Sequence, residues 1–241
     1  LFQLTGRARY LDAIEQTLYN HILGAQAADG SDFSYYQGLI GRKVHEKKPG
    51  EYSCCRYRGL HFISYFPDFI VAHDDDQLFV NFYTPATVAI ERLGATVDIS
   101  TAFPKNGDVR ITVELDEERE LDLKLRIPEW CESHEATVDG EPVTAASEDG
   151  WLTVGRQWTK GLHTIELRLE MTVRVRRANV DHRDSVGISF GPLTLAIDST
   201  FGTPIHATEV ALANEMIELE PTDPGPDPEL PIVAFRTQGA I

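Results

Sequence analysis

The chain has 241 residues, 42% hydrophobic and 25% charged, the balance of a folded globular protein and not of a disordered one. Its formal net charge of −16 argues against a nucleic-acid partner, which would need Lys and Arg to neutralise phosphates. No run of about 18 apolar residues occurs, so no membrane-spanning helix and no membrane partner are expected.

The chain opens at Leu1, and its only methionines are Met171 and Met216. A soluble, cytoplasmic protein is the expectation, with a signal peptide left open because a natural start is missing. Leu1-Phe2-Gln3-Leu4 reads as the end of a helix, and Thr5-Gly6 as a turn. Tyr10, Leu11, Ile14, Leu18, Ile22 and Leu23 then recur at three- and four-residue steps, the apolar stripe of an amphipathic helix, with Gly24 as its stop. Residues 28–50 turn to Gly, Asp, Ser, Lys and Pro around Phe33-Ser34-Tyr35-Tyr36, which predicts a long loop with one or two short strands. Such loops are often functional. A helical pattern returns from Cys54 to about Phe66, where Pro67 disfavours continuation.

From Gln77 the period changes to two. Leu78-Val80-Phe82, Val97-Ile99, Val109 to Leu115, Leu121 to Ile127, Ile165 to Leu169 and Val173-Val175 read as strands. Asn106-Gly107, Asp139-Gly140, Asp149-Gly150 and Lys160-Gly161 read as the turns between them. This predicts antiparallel sheets with one wet face, hence a β-sandwich. Val186–Phe190, Leu193–Ile197 and Glu209–Leu212 read as further strands, and 220–231 as a solvated linker or edge loop. The expected organisation is mostly β: a helical piece at 1–73, a β-sandwich at 74–173, and a second, incomplete β-rich domain at 174–241. The helical piece is too short for its own core and should pack against chain that is absent.

The cysteines number three, with two adjacent, which does not look like a disulfide framework. Cys131 reads as a surface or half-buried thiol. Cys54-Cys55 stands at the start of a predicted helix, where free N–H groups favour negative charge. Two buried thiols are the plain reading of the pair. A soft metal site is the functional one, since zinc favours thiolates and takes the rest of its ligands from elsewhere.

Several segments resemble the β-L-arabinofuranosidase family, glycoside hydrolase family 127. Thr5-Gly6-Arg7-Ala8-Arg9-Tyr10 with Glu15-Gln16-Thr17-Leu18-Tyr19-Asn20, Glu51-Tyr52-Ser53-Cys54-Cys55, Leu125-Arg126-Ile127-Pro128-Glu129-Trp130, Val138 to Val143, Gly150 to Val154 and Gly191-Pro192-Leu193 follow its motifs in order. The resemblance implies the C-terminal helices of a truncated (α/α) barrel followed by β-sandwich domains. It implies a retaining glycosidase in which zinc-bound Cys54 is the nucleophile and Cys55 a further zinc ligand. The remaining ligands, a Glu and a Cys, and the acid/base Glu would lie upstream of this chain. Tyr35 would contact an oligosaccharide or glycoside substrate, and Glu51 would bond that substrate or orient a cysteine; packing for Tyr35 and solvation for Glu51 are the plainer readings. The best-known branch continues the cysteine pair with PPN, whereas this chain has Arg56-Tyr57-Arg58, which leaves the sugar open. His45 lies in a charged loop and reads as solvated, and Trp130, Trp151 and Trp158 read as sandwich aromatics.

The resulting expectation is part of a hydrolase that releases β-L-arabinofuranose or a similar sugar, with a missing N-terminal catalytic segment as partner and a homodimer left open. The isolated piece is expected to be inactive. The rival from another class is a non-catalytic carbohydrate-binding or domain-packing β-sandwich module. A thiol redox role is disfavoured, because adjacent cysteines lack the two-residue spacer.

Overall fold

A computed structural model describes residues 1–27, 29–35, 38, 54–177, 186–196, 220–222 and 234–236. The chain is mostly β, with helices preceding the sheets. Contacts divide it into two compact units: Leu1–Gln16 with Ile63–Met171, and Thr17–Phe62 with Thr172–Ile241.

The first unit is built on two sheets. One orders β1 (Val71–His73), β2 (Gln77–Val80), β6 (Arg119–Arg126) and β9 (Trp151–Trp158) as β1-β2-β6-β9. The other contains β3 (Ala86–Ile90), β4 (Ala95–Thr101), β5 (Asp108–Leu115), β7 (His134–Val138), β8 (Glu141–Pro142) and β10 (Gly161–Leu169), in the order β3-β4-β5-β10-β7-β8. The expected alternation is realised. Val109, Ile111, Val113 and Leu115 of β5, Leu121, Leu123 and Leu125 of β6, and Ile165, Leu167 and Leu169 of β10 are all buried. Side chains on a strand alternate between faces, so each set is the inner face of its sheet.

The expectation of purely antiparallel sheets needs one correction. β2 and β6 run parallel, Gln77 opposite Asp122 and Val80 opposite Leu125. The three strands between them in sequence all belong to the other sheet, and a long crossover of this kind can return in the parallel sense. The turn signals hold where both central residues need positive φ. Asp139 and Gly140 (φ 54° and 86°) close the two-residue β7–β8 hairpin, and Asp149 and Gly150 (φ 51° and 82°) precede β9, as type I′ turns require.

The four-stranded sheet does not have a wet outer face throughout. Phe2 of α1 (Phe2–Thr5), Ala8, and Leu11 of α2 (Arg9–Thr17) are buried with Phe82 and Trp151, and Phe79 packs against them. Gly6 ends α1 in the left-handed region and its carbonyl accepts a bond from Trp151 Nε1 at 3.0 Å. The expectation that the helical start packs on absent chain is therefore revised for its first sixteen residues. Their apolar stripe covers β2 and β9.

In the second unit the first helix runs on from α2 through a π-helical turn, Leu18–Ile22, into α3 (Leu23–Ala25). Gly24 is not its stop. Gln26 turns extended (φ −69°, ψ 138°) to pair with Phe33 across an isolated bridge, and this ends the helix. α4 spans Cys54–Tyr65, as the spacing predicts; from Ile63 the chain belongs to the first unit, and the helix gives way there to a 3₁₀ turn at Phe66–Phe69 that contains Pro67. The antiparallel strands β11 (Val173–Arg177), β12 (Val186–Phe190) and β13 (Leu193–Leu195) form a third sheet. The π-helical turn places Asn20 against the β12–β13 turn, its Nδ2 donating to Pro192 O at 2.8 Å and its Oδ1 accepting from Thr194 N at 2.7 Å. β14 (Glu220–Thr222) pairs with β15 (Ala234–Arg236), so the start of the anticipated linker is a strand. The strand anticipated at Glu209–Leu212 lies outside the described residues. No described helix is long and apolar enough to cross a membrane.

Candidate functional site

The cysteine pair opens α4. Cys54 is exposed and Cys55 half-buried, both as thiols, with their Sγ atoms 3.9 Å apart. Cys55 Sγ lies 3.9 Å from the Tyr35 carbonyl oxygen. The sequence therefore brings Cys54, Cys55 and the backbone of Tyr35 together, while Glu51 and His45 lie outside the described residues.

Behind the pair stands a short hairpin. Ser34 N donates to Ala25 O at 2.8 Å and Ala27 N to Asp32 O at 2.9 Å. The Asp32 carboxylate is buried and accepts two bonds from Arg56, Nε to Oδ1 and Nη2 to Oδ2, each 2.7 Å. It also accepts from its neighbour Phe33 N at 2.8 Å. One turn along α4, Gly59 meets the Phe33 ring so closely that a Cβ there would lie 2.5 Å from it. Cys55, Arg56 and Gly59 are spaced to share one helix face, which is the face turned to the hairpin. Cys54 is left on the open side. The sequence marks Arg56 only as part of the departure from PPN, and Asp32 reads there as an ordinary solvated charge.

Among the described residues no group of three or more His, Cys, Asp or Glu is gathered as a metal would require. The pair nevertheless suits zinc as half a ligand set. Two sulfurs bound tetrahedrally at about 2.3 Å from one ion lie about 3.8 Å apart, and these stand at 3.9 Å. Cys131 belongs to the first unit, where its Sγ lies 3.0 Å from Ser133 O.

The first unit holds a buried ionic cluster. Arg126 follows Leu125 with its side chain on the opposite face of β6, the face that α2 covers. There Nη1 donates to Asp12 Oδ1 at 2.8 Å, Nη2 to Glu15 Oε1, and Nε to Asn81 O at 2.6 Å. Trp130 Nε1 donates to Glu15 Oε2 at 2.8 Å, and the Tyr83 hydroxyl to Arg126 O. Burial alone would lower the Arg126 pKa, but the charges of Glu15 and Asp12 outweigh it and the net shift is upward. Burial lifts the Asp12 carboxyl above the ordinary range, against the pull of Arg126 and the Glu129 N–H. Burial likewise raises the Tyr83 hydroxyl. With every charge paired inside protein, this cluster ties helix to sheet. A shallow depression of about 450 Å³ on the outer face of the six-stranded sheet is lined by side chains such as Arg110, Glu166 and Arg168.

Residues 1–68 match the sequence profile described as beta-L-arabinofuranosidase, GH127 catalytic domain, and residues 77–171 that of the GH127 middle domain. The fold is that of solved glycoside hydrolases. A GH127 β-L-arabinofuranosidase from Geobacillus stearothermophilus T6 superposes with a TM-score of 0.78 at 24% identity, over 99% of this chain and 40% of that one. A structure described as a glycoside hydrolase gives 0.83 at 24%, over 99% and 42%. A GH127 beta-arabinofuranosidase gives 0.82 at 26%, over 99% and 40%. No curated protein matches the chain. Two consecutive domains of one family thus follow each other in order, and the chain belongs to the β-L-arabinofuranosidase family, GH127. It spans about two fifths of the length of the solved structures it matches.

Proposed function

We propose that the chain is part of a retaining glycoside hydrolase that releases β-L-arabinofuranose or a similar sugar, with Cys54 as the nucleophile. Family membership supports the class of reaction. The observation that carries the residue assignment is the 3.9 Å separation of two thiols at the first turn of α4, with Cys54 on the open side and Cys55 toward the hairpin.

On this reading Cys54 and Cys55 would hold zinc together with a Glu and a Cys from the part of the (α/α) barrel that lies outside these 241 residues. Bound zinc would keep both sulfurs deprotonated at neutral pH. The Cys54 sulfur attacks the anomeric carbon: a C–S bond forms, the glycosidic C–O bond breaks, and the leaving oxygen takes a proton from an acid outside this chain. Water, deprotonated by the same group, then displaces the thiolate and restores the starting configuration at the anomeric carbon. A thiolate thus replaces one of the two carboxylates usual in retaining glycosidases. Tyr35 and Glu51 would contact the sugar.

The test is Cys54→Ser in the full-length protein, followed by metal analysis and hydrolysis of an aryl β-L-arabinofuranoside. The expected outcome is loss of zinc and at least a thousandfold loss of turnover. Retained turnover would remove Cys54 from the nucleophile's place, and retained turnover without zinc would remove the metal as well.

A further inference from the structure

We propose that the Arg56–Asp32 ion pair is a positioning device for the cysteine turn, holding the Cys54 and Cys55 sulfurs at the spacing that one metal ion requires. Its purpose rests on the zinc-thiolate reading above; its geometry does not.

Three observations carry it. Asp32 is 8% exposed, so its carboxylate depends on protein donors and not on water. Arg56 supplies two of them in a fork, a geometry that fixes direction as well as distance. The carboxylate is itself held, because the hairpin bonds at Ala27 and Ser34 tie down the backbone that carries it and the Phe33 N–H bonds its Oδ1. Arg56 is the residue after Cys55, and Gly59 lies one helical turn beyond Cys55 with the Phe33 ring against its backbone. The helix is thus gripped at two points on one face. A grip at one point would leave it free to roll about its axis, and a roll would carry Cys55 away from Tyr35 and change the direction in which Cys54 is presented. Helix N-termini fray readily, and Cys54 and Cys55 occupy that end. Partners that orient ligands without touching the metal commonly govern its affinity.

The experiment uses the full-length protein and cadmium as a soft probe for thiolates, read by the ultraviolet thiolate-to-cadmium absorption, beside amide hydrogen exchange across α4. Arg56→Met keeps the side-chain stem and removes the fork; Arg56→Lys keeps the charge; Asp32→Asn keeps the shape should the first variant fail to fold. The expected result is cadmium affinity about 10- to 100-fold weaker in Arg56→Met, with most of it restored in Arg56→Lys and an intermediate loss in Asp32→Asn. Exchange should speed up at residues 54–58 and stay unchanged in β5 and β10. Cadmium affinity equal to the wild type in both Arg56→Met and Asp32→Asn would overturn the proposal. If the wild-type protein itself shows no thiolate–cadmium band, the zinc reading fails separately. The positioning role then stands on faster exchange at 54–58 in Arg56→Met and falls if exchange there is unchanged.

Discussion

Two arginines each clamp a helix in this molecule, and they differ in their access to water. Arg126 is 0% exposed and Glu15, one of its two carboxylate partners, 1% exposed, with Trp130 and Tyr83 completing the shell. Arg56 is 43% exposed and grips the Asp32 carboxylate. The first ties α2 to the sheet, with the guanidinium itself shut away from water. The second stands beside two thiols, one of them open to solvent. Arg126 spreads its donors over two carboxylates and a carbonyl where water is largely excluded, whereas Arg56 closes a two-bond fork on Asp32 while its own side chain stays half in water.

The largest effect should come from breaking the Arg126 cluster. Arg126→Met leaves Glu15 as a buried charge, and Asp12 as a half-buried one, without their counter-ion, an expected cost of about 3–5 kcal/mol, measured as a shift in denaturant midpoint at unchanged slope. A loss under 1 kcal/mol would mean that the cluster opens to water in solution and that the contrast with Arg56 is false. Next, Gly150→Ala tests how tightly the helical start sits on the sandwich. Gly150 has φ 82° and a Cβ there would lie 2.6 Å from Ala8 Cβ, so strain of about 1–3 kcal/mol is expected, read as a lowered melting temperature. Arg56→Met should cost far less global stability than Arg126→Met, since its guanidinium is hydrated. That loss should shrink in high salt while the Arg126→Met loss does not, a comparison made by melting both variants at low and high salt.

The smallest effect concerns acid. Burial pushes the Asp139 carboxyl up, but hydrogen bonds from His163, the Thr164 N–H and Arg156 outweigh it and bring its pKa down to about 2. A carboxyl depressed in the folded state contributes its stabilisation fully above about pH 4, and loses it as pH falls toward 2. Asp139→Asn should flatten that part of the stability–pH curve and leave the neutral range lower by a small, constant amount, as followed by chemical denaturation across pH.

What could be foreseen from the sequence follows from which interactions are periodic. Burial on one face of a strand repeats every second residue, so β5, β6 and β10 were visible, as were the Asp-Gly turns whose backbone needs positive φ. The position of Cys54-Cys55 at a helix start was visible too, because Pro67 and the Leu60-Ile63-Phe66 stripe bound that helix. Pairings across long separations leave no such trace. Glu15 shares the helical stripe of Leu11 and Leu18, but nothing local names its partner, which is 111 residues away. Asp32 reads in the sequence as one more acidic loop residue. The parallel β2–β6 pair and the π-helical turn at Asn20 depend on where distant strands return, which alternation does not encode. Glu51 falls outside the described residues.

The cover that α1 and α2 lay over β2 and β9 has a practical consequence for anyone dissecting this protein. A polypeptide begun at residue 74, where helical periodicity gives way to strands, would uncover Phe79, Phe82 and Trp151 and strand Arg126 in a site built for two missing anions. Such a piece should self-associate, and a synthetic peptide of residues 1–16 added to it should act as a solubilising complement.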